Sequence, residues 1–271
     1  MIRIAITGEG PTDVGKMEYS DKKRQLVFQK GPIPIYFNRI LHDDNIEFVY
    51  VNRKDLDAAD SNGRLRLQGH IKERFKGQTK HAMYFKKLAN YQNVDVAVFY
   101  SDADTDSTQN PHNEHACQER YDQIKAEIQT GFEIATVAGA TAEQKDCPGI
   151  AVVPVKMIES WMMADSTIFE RVFGKRKTKE KIPARPELEW GSKDSPQSNY
   201  PKNQLKRIME EFQAEPCQET FCELAMEQNL DAMSKSCPIS FQPFYDDVKA
   251  LKSRLGAKAG NALRWRLDYD G

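Results

Sequence analysis

The chain has 271 residues, 39% hydrophobic and 29% charged, with a formal net charge of −1. That balance is ordinary for a folded protein, and it excludes a disordered or collagen-like chain. No apolar run approaches the roughly 20 residues that span a bilayer, so no membrane is expected. Met1 to Ile6 runs directly into a strand pattern without a signal-peptide core, which makes the cytoplasm the default location.

Arg3-Ile4-Ala5-Ile6-Thr7 reads as a short strand ending in the turn Gly8-Glu9-Gly10-Pro11. Met17 to Lys30 is polar and aperiodic and reads as a loop or insertion. After Gly31-Pro32, the spacing of Ile35, Phe37, Ile40 and Leu41 predicts a helix, and Ile46 to Val51 predicts a second strand. Leu67 to Tyr91 is basic and mostly helical in pattern. Val94 to Tyr100 is almost continuously apolar, as expected of a central strand covered on both faces. It runs into Ser101-Asp102-Ala103-Asp104-Thr105-Asp106. A polar helix is predicted over Asn113–Thr130, a strand over Ile150–Val155, and a helix from Glu159 through Phe173. Alternating strands and helices imply a parallel sheet. Beyond Gly174 a basic, proline-containing linker (Lys175 to Pro201) precedes helical segments at about 202–213, 217–233 and 241–256. The expected fold class is therefore α/β: a Rossmann-like, mostly parallel sheet flanked by helices over 1–174. A mainly helical C-terminal extension over 175–271 is expected to pack on it.

Ligands of open parallel sheets sit at the carboxyl ends of the strands. Glu9, Asp102, Asp104 and Glu159 all follow strands at that edge. Crowded carboxylates repel one another and resist desolvation. A hard divalent cation removes that penalty, and oxygen ligands suit Mg²⁺ or Mn²⁺. Residues two apart on a strand point the same way, so Asp102 and Asp104 can reach one ion. Asp106 and Asp165 read as solvated or structural acids, and Trp161, Met162 and Met163 as core.

Two other motifs are weaker. Gly10-Pro11-Thr12-Asp13-Val14-Gly15-Lys16 fits the phosphate-binding G-x-x-x-x-G-K. However, Met17 replaces the Ser or Thr that ligates Mg²⁺, and Pro11 removes a backbone N–H. His112-x-x-His115-x-Cys117 lacks the second ligand pair of a zinc site. The five cysteines form no C-x-x-C pair and read as reduced thiols.

Basic residues cluster. Eight lie between Ser61 and Asn90, among them Lys72, Arg74, Lys80, Lys86 and Lys87, against the single acid Glu73. Seven lie from Arg171 to Arg185, and six from Lys249 to Arg266. Such segments around an acidic centre suit a polyanion lying across it, as do solvated helix faces.

The acidic pattern resembles the TOPRIM domain, the metal-binding core of topoisomerases, primases and OLD-type nucleases. Glu9 matches its glutamate after the first strand, and Asp102/Asp104 its Asp-x-Asp after a later one. Glu9-Gly10-Pro11-Thr12-Asp13 is similar to the OLD-type E-G-x-[ST]-[ED] variant, which implies a metal contact for Asp13. Pro154 to Asp165, Tyr200-Pro201-Lys202 and Cys237 to Phe241 resemble segments of small bacterial TOPRIM-like proteins. The resemblance implies a divalent-metal-dependent nuclease acting on DNA or RNA. Asp13, Asp102, Asp104 and Glu159 would be metal ligands, Glu9 a ligand or general acid/base, and Lys202 the counterpart of a catalytic lysine. It also implies an effector of prokaryotic anti-phage defence working beside a separate ATPase. One site per protomer would suit a homo-oligomer that cuts both strands. Against it stand a P-loop nucleotide-binding protein or kinase, and a non-catalytic nucleic-acid-binding subunit.

Overall fold

The computed structural model describes residues 1–54, 56, 77–103, 113–139, 146–175 and 178–267, with the backbone alone for 136–139 and 256–267. Its centre is a parallel sheet of β1 (Ile2–Thr7), β4 (Ile46–Tyr50), β5 (Val96–Tyr100) and β6 (Gly149–Val152), in the order β4-β1-β5-β6. Register pairs include Ile4 with Phe48, Ala5 with Ala97 and Val98 with Ile150.

The pleat divides the core into two layers. Ile4, Ile6, Val96, Val98, Tyr100, Ile150 and Val152 face one apolar cluster, whereas Ala5, Ala97, Phe99, Ala151 and Val153 face the other. This is the period-2 alternation of a strand buried on both sides. Helix α2 (Pro32–Leu41) covers the first face. Helices α3 (Gln78–Tyr91) and α4 (Glu114–Gly139) cover the second. The molecule is thus a doubly wound α/β sandwich.

The chain after position 174 shares the first of these cores with the two helices that follow β6. Helices α5 (Ile158–Met162), α6 (Ile168–Phe173), α7 (Pro201–Glu211), α8 (Gln218–Glu227), α9 (Leu230–Ser236) and α10 (Phe241–Leu267) all supply buried side chains to it. Trp161, fully buried as expected, is its hub. The indole stacks on Phe244 at 5.3 Å, meets Phe241 edge-on, and donates from Nε1 to Ser240 Oγ at 2.8 Å. Aromatic pairs of this kind contribute beyond the area they bury.

Three expectations are corrected. Met17–Lys30 is no loop: β2 (Gly15–Ser20) and β3 (Gln25–Lys30) form an antiparallel hairpin outside the main sheet. The helix beginning near Glu159 breaks at Met163, where a turn carries the chain to α6. The helix predicted to stop at Thr130 continues to Gly139. There Gly131 packs directly on α3: a Cβ would stand 2.4 Å from the Thr79 carbonyl oxygen.

Candidate functional site

The winding direction reverses between β1 and β5. From β1 the chain crosses to β4 on one side, then returns through α3 to β5 on the other. Open α/β sheets bind ligands at the carboxyl edge at such a switch point. Glu9 follows β1 and Asp102 follows β5, so the two acids flank it. A further parallel bridge between Ala103 and Val155 extends the β5–β6 pairing past the strand ends. It draws the segment leading to Glu159 alongside Asp102.

Glu9 is fixed by three donors on one oxygen. Its Oε1 accepts from Arg53 Nη1 at 2.7 Å, Ser101 Oγ at 2.8 Å and Gln78 Nε2 at 3.1 Å. These come from the segment after β4, the end of β5 and the start of α3. Arg53 also lies over the Phe99 ring and donates to Gln78 Oε1. None of the three carries a periodic or motif signal, so reading the sequence passes over them.

Asp13 sits on the four-residue helix α1 (Pro11–Val14). Gly10 leaves the space its carboxylate takes, since a Cβ there would be 2.8 Å from Asp13 Oδ2. Burial first, then repulsion from Glu159 and Glu9, push its pKa from 3.8 to about 7, against the opposing pull of Tyr100 and Lys202. Tyr100 is fully buried, and its hydroxyl donates to Asp102 Oδ1 at 2.5 Å. Glu159 is 9% exposed, in the first turn of α5. The preceding Lys156 is held in the left-handed conformation (φ 67°), with Nζ donating to the Glu189 carbonyl at 2.8 Å. Its own burial lowers the Lys156 pKa to about 8.

Lys202, in the first turn of α7, arrives from the C-terminal half with Nζ 3.9 Å from Glu159 Oε1. Its partial burial disfavours the charge, but Glu159, Tyr200, Asp102 and Asp13 outweigh that and raise its pKa. Lys202 and Tyr100 therefore stand among the same three carboxylates, Asp13, Asp102 and Glu159.

The remaining predicted residues separate. Asp104, Asp106, Lys72 and Arg74 lie outside the described residues. Lys86 does not face a polyanion: it is 2% exposed and paired with Asp146 at 3.1 Å. Lys80, near the Tyr84 ring, is half-buried in the first turn of α3, the end whose Gln78 reaches Glu9. Lys87 is half-buried about 10 Å further along that helix. Asp165 is structural, accepting from Asn229 N and Thr167 and pairing with Arg171 at 2.9 Å. His115 is exposed beside Glu119 while Cys117 is buried, so those two do not converge on zinc. Lys16 enters strand β2 and pairs with Glu18 at 2.5 Å. A P-loop would open a helix there, so that cradle is not built.

Among the described residues, no three His, Cys, Asp or Glu side chains form a group able to hold a metal ion. The chemistry of the donor set nevertheless fits a hard divalent cation. The carboxylates are oxygen donors, and the burial of Asp13 together with repulsion from Glu159 and Glu9, which raise its pKa, is the penalty a cation relieves.

This shift predicts a pH dependence of stability. Between about pH 4 and 7 the folded protein keeps a proton on Asp13 that the unfolded chain releases. The native state binds more protons there, so stability falls as pH rises through this window. Thermal melts of Asp13→Asn in EDTA are expected to gain on wild type between pH 4.5 and 7.5. A constant difference would dismiss the crowding.

Compared with protein-family models, curated proteins and solved structures, the chain gives no match. Among the described residues, no helix is long and apolar enough to cross a membrane.

Proposed function

We propose that the chain is a divalent-metal-dependent nuclease of the TOPRIM, OLD-type kind, hydrolysing phosphodiesters of DNA or RNA. One observation carries this reading. Glu9, Asp13, Asp102, Glu159 and Lys202 come from five separate segments and reach one carboxyl edge at the switch point of the sheet.

Asp13, Asp102 and Glu159, with Asp104, would hold Mg²⁺ or Mn²⁺, which when bound activates water and neutralises phosphate charge. The chain's own groups do the rest. Glu9, clamped on one oxygen by Arg53, Gln78 and Ser101, is a carboxylate of fixed orientation suited to moving a proton at the edge. The Lys202 ammonium opposes negative charge building on the phosphate. Tyr100 keeps its proton, because burial and the neighbouring carboxylates raise its pKa, and its hydrogen bond orients Asp102. An anti-phage effector working with a separate ATPase is the form of this reading in which the isolated chain is inert.

The test is cleavage of supercoiled DNA, single-stranded DNA and RNA with Mg²⁺ or Mn²⁺. Wild type is run beside Glu9→Gln and Asp102→Asn, which keep the hydrogen-bond acceptors and hence the fold. Cleavage by wild type with both variants at background is expected. Equal cleavage by all three, or a wild type that binds neither Mg²⁺ nor Mn²⁺, would sink the proposal.

A further inference from the structure

We propose that the β2–β3 hairpin is an arm that grips nucleic acid, holding phosphates at its tip and a base or sugar against its apolar face. The inference deepens the nuclease reading, on which it rests for what the bound strand does at the acidic edge.

The hairpin leaves the site directly. Asp13 lies in α1, and β2 starts at Gly15. Its base is anchored where Phe28 stacks on Tyr50 at 5.7 Å and meets Phe48, covering edge strand β4. Beyond that anchor the ribbon projects. Six residues of β2 reach about 20 Å, or roughly six base steps of a nucleic acid.

Three features of the arm select the occupant. The first is charge: Gly15–Lys30 holds five Lys or Arg against Glu18 and Asp21, and Lys22, Lys23 and Arg24 crowd the exposed tip. The second is an apolar face that the fold uses only at its base, where Phe28 lies opposite Met17. Tyr19 and Leu26 oppose each other across the ribbon, and each is 61% exposed. Met17, 42% exposed, shares that face because it lies two residues from Tyr19.

The third feature is a path to the site. A cleft of about 720 Å³ runs between hairpin and sheet, lined by Glu9, Lys16, Met17, Tyr50, Arg53 and Lys54 among others. Lys16 and Arg53 in the cleft are paired with Glu18 and Glu9. That leaves Lys54 there and the cations of the tip, about 20 Å apart, which match a polymer of phosphates and cannot both be met by one small anion. An exposed tyrosine beside them supplies a stacking platform that tolerates any base.

The experiment is fluorescence anisotropy in EDTA with labelled duplex DNA, single-stranded DNA and single-stranded RNA, from 50 to 200 mM salt. The proteins are wild type, Lys22→Ala/Lys23→Ala/Arg24→Ala and Tyr19→Ala, with melting temperatures confirming the fold. The triple variant is expected to bind more weakly, and the slope of log K against log salt to flatten by about 2 to 3, as for three lost phosphate contacts. Tyr19→Ala is expected to weaken binding about 5- to 100-fold. The substrate on which that loss is largest names the form of nucleic acid the arm takes.

A wild type that binds no nucleic acid overturns the arm, as does a triple variant with unchanged affinity and slope. So does loss of self-association with nucleic-acid binding intact, which would make the face an interface with a second copy. Arm-dependent binding by a wild type that binds neither Mg²⁺ nor Mn²⁺ keeps the arm and fails the nuclease reading, so the two failures are distinct.

Discussion

Replacing Glu187 by alanine is expected to lower the free energy of unfolding by about 3–5 kcal/mol. Glu187 is fully buried in the 3₁₀ turn Pro186–Leu188. Its carboxylate accepts from Ile239 N at 3.0 Å, Ser240 N at 3.2 Å and Ser240 Oγ at 3.0 Å, with Arg185 at 3.6 Å. These donors sit where the chain turns into α10, and a buried N–H left alone costs about 1–3 kcal/mol. Ser240 Oγ is also the acceptor for Trp161, so the loss reaches the centre of the core. Burial raises the Glu187 pKa, and its four donors only partly offset that. Glu187→Gln, which keeps an acceptor, is expected to cost less. Urea denaturation at pH 7 with an unchanged m-value reads the difference. A loss below about 1 kcal/mol would mean that water takes over the carboxylate's bonds.

Glu187 also shows where the sequence stops being legible. The stretch from Lys175 to Pro201 reads as a linker because it is basic and proline-rich, yet one carboxylate ties it into the core. Strands β1, β5 and β6 were readable because each is a short apolar run bounded by turn residues. Once those strands are parallel, the placement of Glu9 and Asp102 at one edge follows from topology alone. The hairpin was hidden by its charge. Met17 and Tyr19 alternate with Lys16, Glu18 and Ser20, whereas Leu26, Val27 and Phe28 form only a three-residue apolar run between Gln25 and Gln29. That period-2 pattern is diluted by the polar tip. Gly131 stands just past the predicted end of a helix that in fact continues through it. A glycine inside a helical pattern reads as a stop, whereas here it lets α4 approach α3. Lys86 reads as a surface cation because nothing local reveals that Asp146, sixty residues on, meets it in the interior. Arg53, Gln78 and Ser101 are single polar residues on separate elements, and only the folded chain gathers them around Glu9.

On the proposed nuclease reading, Lys202→Ala is expected to lower kcat by about 10²- to 10³-fold, the usual cost of removing one group aimed at developing charge. The residue is a suitable probe because its structural role is small. Its side chain is more than half exposed, and its ion pair with Glu159, at 3.9 Å, is long. Such a pair contributes little to stability, so the melting temperature should hold while turnover falls. Lys202→Arg keeps the charge but changes its shape, and should recover only part of the rate. The division between kcat and KM then decides what the ammonium does. A fall in kcat alone means it opposes charge that appears only in the transition state, whereas a rise in KM alone makes it one more phosphate-holding cation. The second result would hand the charge-neutralising task to the carboxylate-bound metal alone. It would leave α7, and with it the C-terminal half, as the element that positions substrate across the switch point.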